Sequence, residues 1–141
     1  LRRRSKIVQG ESVTRWLGRE TIATPHLALC LSESEFKAAA KHCKVNEPGQ
    51  WLDESHHKAC VHTWQRGDVS TCVVCVHPDA QKAEPIEVAE ALVHEAVHVF
   101  QRLCDSIGED APSREFEAYS IERISGELMR EFARRIKGKR K

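Results

Sequence analysis

The chain has 141 residues, with 22 Lys and Arg against 21 Asp and Glu and a formal net charge of +1. That length suits one small domain around a single core, and that charge offers no electrostatic case for a nucleic-acid or membrane-surface partner. Neither a run approaching the roughly 20 apolar residues of a membrane span nor a charged-then-apolar secretion signal is present. Six cysteines are too few for a disulfide-built scaffold of this size, so a reduced cytoplasmic protein is expected.

In chain order, residues 1–20 are basic and weakly patterned, with a short helix or arm expected around Val13–Leu17 and Trp16 as its anchor. Arg2-Arg3-Arg4 and the run from Arg134 to Lys141 read as solvated basic ends, so residues 1–20 and 138–141 are expected to be flexible margins of one domain, 1–141. His26 to Leu31 follows Pro25 and reads as a short buried strand. Ser32 with Glu35 three residues on fits a helix-start capping box, and Phe36, Ala39, Ala40 and Cys43 continue at helical spacing until Asn46-Glu47-Pro48-Gly49. From Cys60 the period becomes two: residues 60–65 and 69–76 are β-rich runs joined by Arg66-Gly67-Asp68, a hairpin pattern. Pro85 suits a first helical position, and the helix it opens should run to about Ile107 with Gly108 as a left-handed stop. A second long helix is expected over residues 113–137. The fold class is therefore α+β.

The first of these long helices carries His94-Glu95-Ala96-Val97-His98, the pattern H-E-x-x-H. Histidines four apart project from one helical face, so two imidazole nitrogens can reach one Zn²⁺, while the intervening glutamate is placed to take a proton from water. The flanks Ala91, Leu92, Val93, Ala96, Val97, Val99, Phe100 and Leu103 are apolar nearly all round, which predicts a buried helix whose histidines need a partner such as a metal.

A catalytic zinc takes three protein ligands, and the last helix offers Glu115, Glu117 and Glu122. Glu117, Ile121, Ile124, Leu128 and Phe132 form one otherwise apolar stripe, so Glu117 is the carboxylate expected on the inward face, with Glu115 as the alternative. Cys72 and Cys75 have C-x-x-C form, but strand positions three apart point to opposite faces. They read as buried structural cysteines, with a second metal site or a disulfide involving Cys60 as the alternative. His56, His57 and His62, near a strand start, and Tyr119 are candidates for an oxyanion stabiliser.

His94 to Gln101 taken with Glu115-Phe116-Glu117-Ala118-Tyr119 resembles the gluzincin branch of the zinc metallopeptidases. It is more closely similar to small zinc metallopeptidases encoded by bacteriophages and prophages, over residues 60–125. The resemblance implies a minimal zincin: a small antiparallel sheet over an active-site helix, followed by a helix bearing the glutamate. It implies Zn²⁺ held by His94, His98 and Glu117, Glu95 as general base, and a peptide or protein substrate. Related gluzincins place the ligand where Glu115 stands, with an acid four residues later where this chain has Tyr119 or Ile121. An edge strand within Val69–Val76 would hold the substrate by main-chain pairing. The rival expectation is a zinc-stabilised zincin-fold binding or regulatory protein with little turnover; a nucleic-acid-associated phage factor rests only on the basic ends.

Overall fold

Why the chain builds a two-sided sheet is visible in its strands. The computed structural model describes residues 14–17, 26–52 and 58–139. Within these, β1 (Trp16–Leu17), β2 (His26–Cys30), β3 (Ala59–Arg66) and β4 (Val69–Val76) form one sheet in the order β1-β2-β4-β3. β4 pairs antiparallel with β3 and parallel with β2. The sheet is therefore mixed, not antiparallel throughout, and β4 is interior, so Val69–Val76 is not the edge expected to receive a substrate. The edge strand of the hairpin is β3. A position between two strands suits Ser70–Val76, which is buried on both faces and lacks hydrophobic alternation.

Three helices accompany the sheet: α1 (Glu33–His42), α2 (Pro85–Ile107) and α3 (Arg114–Lys139). Residues two apart on a strand share a face, and the core divides accordingly. Leu27, Leu29, Cys72, Val74 and Val76 pack with Leu92, Ala96, Val99 and Phe100 of α2 and with Ile124 and Leu128 of α3. Cys30, Val73, Cys75 and Trp64 face the other way and pack with Phe36, Ala39 and Ala40 of α1. Cys72 and Cys75 thus lie on opposite faces, as strand parity requires.

Local signals set the helix ends. Pro85 opens α2, and Gly108 closes it at φ 71° with its N–H on the Cys104 carbonyl. At the start of α1 the Glu35 N–H donates to Ser32 Oγ at 3.3 Å, while Glu35 Oε2 accepts from the Leu31 N–H at 2.6 Å, one residue further back than a capping box requires. α1 stops sooner than Pro48 would dictate: Lys44 takes a left-handed φ of 57°, and Val45 N–H returns to the Ala40 carbonyl at 2.9 Å. Where a short helix or arm was expected around Val13–Leu17, Trp16 and Leu17 pair with β2 as a strand, not a helix, and Val13 lies outside the described residues. At the other end the described part of the basic run, to Lys139, is helical. Arg135 is buried against Glu35 and donates to the Leu29 carbonyl at 3.3 Å, and Arg134 pairs with Glu131 at 2.6 Å.

Candidate functional site

The buried side of α2 is Val88, Leu92, Glu95, Ala96, Val99, Phe100, Leu103 and Cys104. At about 100° per residue, His94 and His98 fall about 160° from Ala96 on either side, so both point away from the core. Both are exposed. The expectation of a helix buried all round was wrong: Val93 and Ile86 are exposed as well, and Ala91 and Val97 only half-buried. An apolar residue does not have to be covered, so apolar flanks are a weak predictor of burial.

The two histidines nevertheless converge. Their Nε2 atoms stand 3.2 Å apart, with the rings edge to face at 4.9 Å between centroids. His98 Nδ1 faces Gln101 Oε1 at 3.0 Å. An amide oxygen only accepts, so Nδ1 is the donor in this contact, which is the tautomer that would turn Nε2 to a metal. Two Zn–N bonds of about 2.0–2.1 Å at a tetrahedral angle span about 3.3–3.4 Å, which the observed separation nearly matches.

The rest of the expected ligand set is not gathered. Among the described residues no third His, Cys, Asp or Glu ligand atom lies within 4.8 Å of both histidine nitrogens. Glu115 and Glu117 are both exposed at the start of α3. Phe116 meets Phe100 of α2 at 5.7 Å between ring centroids. Burial first, then the charges of Glu109, Asp105 and Glu117, push the Cys104 thiol up. Glu95 is 5% exposed and lies about 100° from Ala96, on the inner flank of the helix. Tyr119 is exposed, and His56 and His57 lie outside the described residues.

A second constellation occupies the α1-facing side of the sheet. Cys60, His62 and Cys75 have ligand atoms all within 4.8 Å of one another, a group that could hold a metal ion. Cys60 Sγ is 3.5 Å from His62 Nε2, and the Trp51 carbonyl stands 2.9 Å from that nitrogen and 3.4 Å from the sulfur. Burial opposes the charged form of His62, but contacts with the Cys60 thiol and the Trp51 carbonyl outweigh it and leave its pKa raised. Contact with the Cys30 thiol, then with the Cys60 thiol, then burial push the Cys75 thiol up. The alternative metal site of the sequence joins Cys60 to Cys72 and Cys75; in the structure His62 stands in the place of Cys72, whose thiol burial pushes up to about 11 on the opposite face. The missed signal was Cys60-Val61-His62, two donors at i and i+2 on one strand face.

Hollows lie beside the sheet on both of its faces. One of about 420 Å³ lies on the α1 side among Trp16, His26, His42, Trp64, Arg66 and Thr71. Another, about 510 Å³ and polar, lies between the β3–β4 hairpin and α2 and is lined by Thr63, Gln65, Asp68, Arg102, Asp105 and Ser106. Only the second adjoins the helix that carries the histidine pair.

Comparison of the chain with protein-family models, curated proteins and solved structures gives no match. No helix among the described residues is long and apolar enough to cross a membrane.

Proposed function

We propose that the protein is a zinc-dependent peptidase of minimal zincin type, with His94, His98 and Glu117 holding the metal and Glu95 as the base. The observation that carries this reading is the 3.2 Å approach of the two Nε2 atoms, with Gln101 orienting His98 from behind. The surroundings support it. Among the described residues β3 is an edge strand, antiparallel to β4, and its Thr63 and Gln65 share a polar groove with Arg102, one turn beyond His98 on α2. An extended peptide would add to the open side of β3 by main-chain hydrogen bonds.

When bound, zinc supplies Lewis acidity and makes water acidic enough to attack near neutral pH. The chain's own residues do the rest. His94 and His98 offer imidazole lone pairs, and the Gln101 contact fixes the tautomer of one of them. By helical phase Glu117 falls about 20° from the buried Ile124, and it is the carboxylate proposed to complete the set. Glu95 takes the proton of the attacking water and returns it to the departing amine.

The burial of Glu95 supports a second reading, a zincin-fold binding protein with little turnover, because a carboxyl that stays turned inward exchanges no proton with a substrate. One experiment separates the two. Never-chelated protein is assayed on an unfolded protein substrate alongside Glu95→Gln and His94→Ala. Zinc-dependent cleavage is expected in the wild type, and Glu95→Gln should retain zinc yet lose at least about 100-fold in rate. Zinc retention without cleavage in both proteins favours the binding reading. Glu95→Gln cleaving at the native rate removes the mechanism.

A further inference from the structure

We infer that Cys60, His62 and Cys75 form a structural zinc site that fastens the edge strand β3 to β4, on the opposite face of the sheet from the α2 histidines.

Strand geometry brings the donors together. Cys60 and His62 are two apart on β3 and share a face, and Cys75 of β4 sits directly opposite Cys60 in the antiparallel register. Zn–S and Zn–N bonds of about 2.3 and 2.0–2.1 Å, set at a tetrahedral angle, hold S and N about 3.6 Å apart. Cys60 Sγ and His62 Nε2 are already at 3.5 Å, and the Cys75 sulfur lies within 4.8 Å of both. Three donors spread over two strands therefore need only small side-chain adjustments to close on one ion. Two thiolates and an imidazole select a borderline-soft ion such as zinc over magnesium or calcium, which take oxygen ligands.

The surroundings hold the donors in place. The His62 ring packs on Phe36 of α1 at 4.6 Å between centroids. Cys30, opposite Cys75 on β2, contacts the Cys75 thiol from the far side and can donate to it once it is a thiolate. The Trp51 carbonyl now accepts from Cys60 S–H and His62 Nε2–H, so that oxygen faces two positive hydrogens. Loading Zn²⁺ releases the two thiol protons, and the neutral imidazole moves its proton to Nδ1; the charge on the group changes from zero to two thiolates balanced by the dication. Cys72 takes no part, since it lies on the other face with Thr63 Oγ1 at 3.8 Å. A strand at the rim of a sheet is held by one neighbour only, and a metal crosslink to that neighbour fixes its register.

The test uses the full chain carrying His94→Ala and His98→Ala, so that metal on α2 does not contribute. Prepared without chelator, it should keep about one zinc per chain. Adding Cys60→Ser or His62→Phe should remove that zinc, whereas Cys72→Ser should not. Cobalt loaded in place of zinc should show thiolate-to-metal charge-transfer absorption that Cys60→Ser abolishes; in the unmutated chain this reading does not depend on any variant folding. The inference is overturned if the His94→Ala, His98→Ala chain holds no metal, if Cys72→Ser releases as much as Cys60→Ser, or if mass spectrometry of thiol-blocked protein finds Cys60 and Cys75 joined as a disulfide.

Discussion

Two glutamates two positions apart present the sharpest question at the scale of single residues. The buried positions of α3 are Ser120, Ile124, Ser125, Leu128, Glu131 and Arg135. At about 100° per residue, Glu117 lies about 20° from Ile124 and Glu115 about 180° from it. Only Glu117 therefore shares the sector that packs inward, although both side chains are exposed at this end of the helix. Glu117→Ala should weaken zinc binding by about 100-fold or more, since a ligand contributes at least as much as an outer-shell partner. Glu115→Ala should cost about 0.5 kcal/mol of stability, for a lost contact with the helix dipole, and leave the metal in place. Competition with a chromophoric chelator measures both affinities, and metal loss from Glu115→Ala alone would exchange the roles. The pairing of His94 with His98 was legible in the sequence, because i,i+4 spacing is a local property of any helix. Which way the pair points was not, because that depends on what packs against the opposite side. The Cys60, His62 and Cys75 group needed the register of β3 against β4, a non-local fact.

Element boundaries divide along the same line. α2 begins at Pro85 and ends before Gly108 as expected, because both residues act through their own backbone. α1 ends earlier than its proline signal, and the cause is Lys44 in left-handed conformation. An L side chain there costs roughly 1–2 kcal/mol, part of which glycine returns through the greater freedom of the unfolded chain. Lys44→Gly should therefore raise the stability by about 0.5–1 kcal/mol in urea unfolding; a decrease would reveal a contact of the Lys44 side chain that matters more than its backbone. A longer-range contact joins α1 to α3. Arg135, 5% exposed, donates to Glu35, which also accepts from the Leu31 N–H. Removing one partner of a buried pair leaves the other charge uncompensated, at about 3–5 kcal/mol. Glu35→Gln should approach that loss, whereas Glu35→Gln with Arg135→Met should recover most of it, as read by the denaturation midpoints of both chains. The basic C-terminal run gave no hint of this, because charge composition reports solvation on average and says nothing of a partner a hundred residues away.

For the molecule as a whole, the sheet order decides what the surface can bind. The β3–β4 hairpin was legible from two alternating runs and a glycine turn, and its placement was not: β2 slots beside β4 in parallel and leaves β3 as the edge. The unbroken Val73-Val74-Cys75-Val76 run was the available clue, since a strand apolar on both faces belongs inside a sheet. With β3 at the rim, the polar groove towards α2 presents Arg102, which pairs with Asp105 at 3.3 Å on an exposed surface. Arg102→Glu should weaken turnover of peptides bearing acidic side chains about five-fold relative to neutral ones, roughly 1 kcal/mol for one exposed charge contact. An unchanged preference would place the bound peptide elsewhere. The parallel pairing also bears on how the protein comes to be assembled. Leu27 lies opposite Cys72, about 45 positions along the chain, whereas β3 and β4 are joined by a short turn. The hairpin can close in microseconds, but β2 must search across a long loop before it can dock. Until then the apolar flank of β4 is an open template for a neighbouring molecule. On the ribosome β2 and α1 are already made when β4 emerges; on dilution from denaturant every strand starts the search at once. Synthesis from the N-terminus therefore shields β4 in a way that refolding does not, and losses to aggregation should climb with chain concentration in refolding from denaturant.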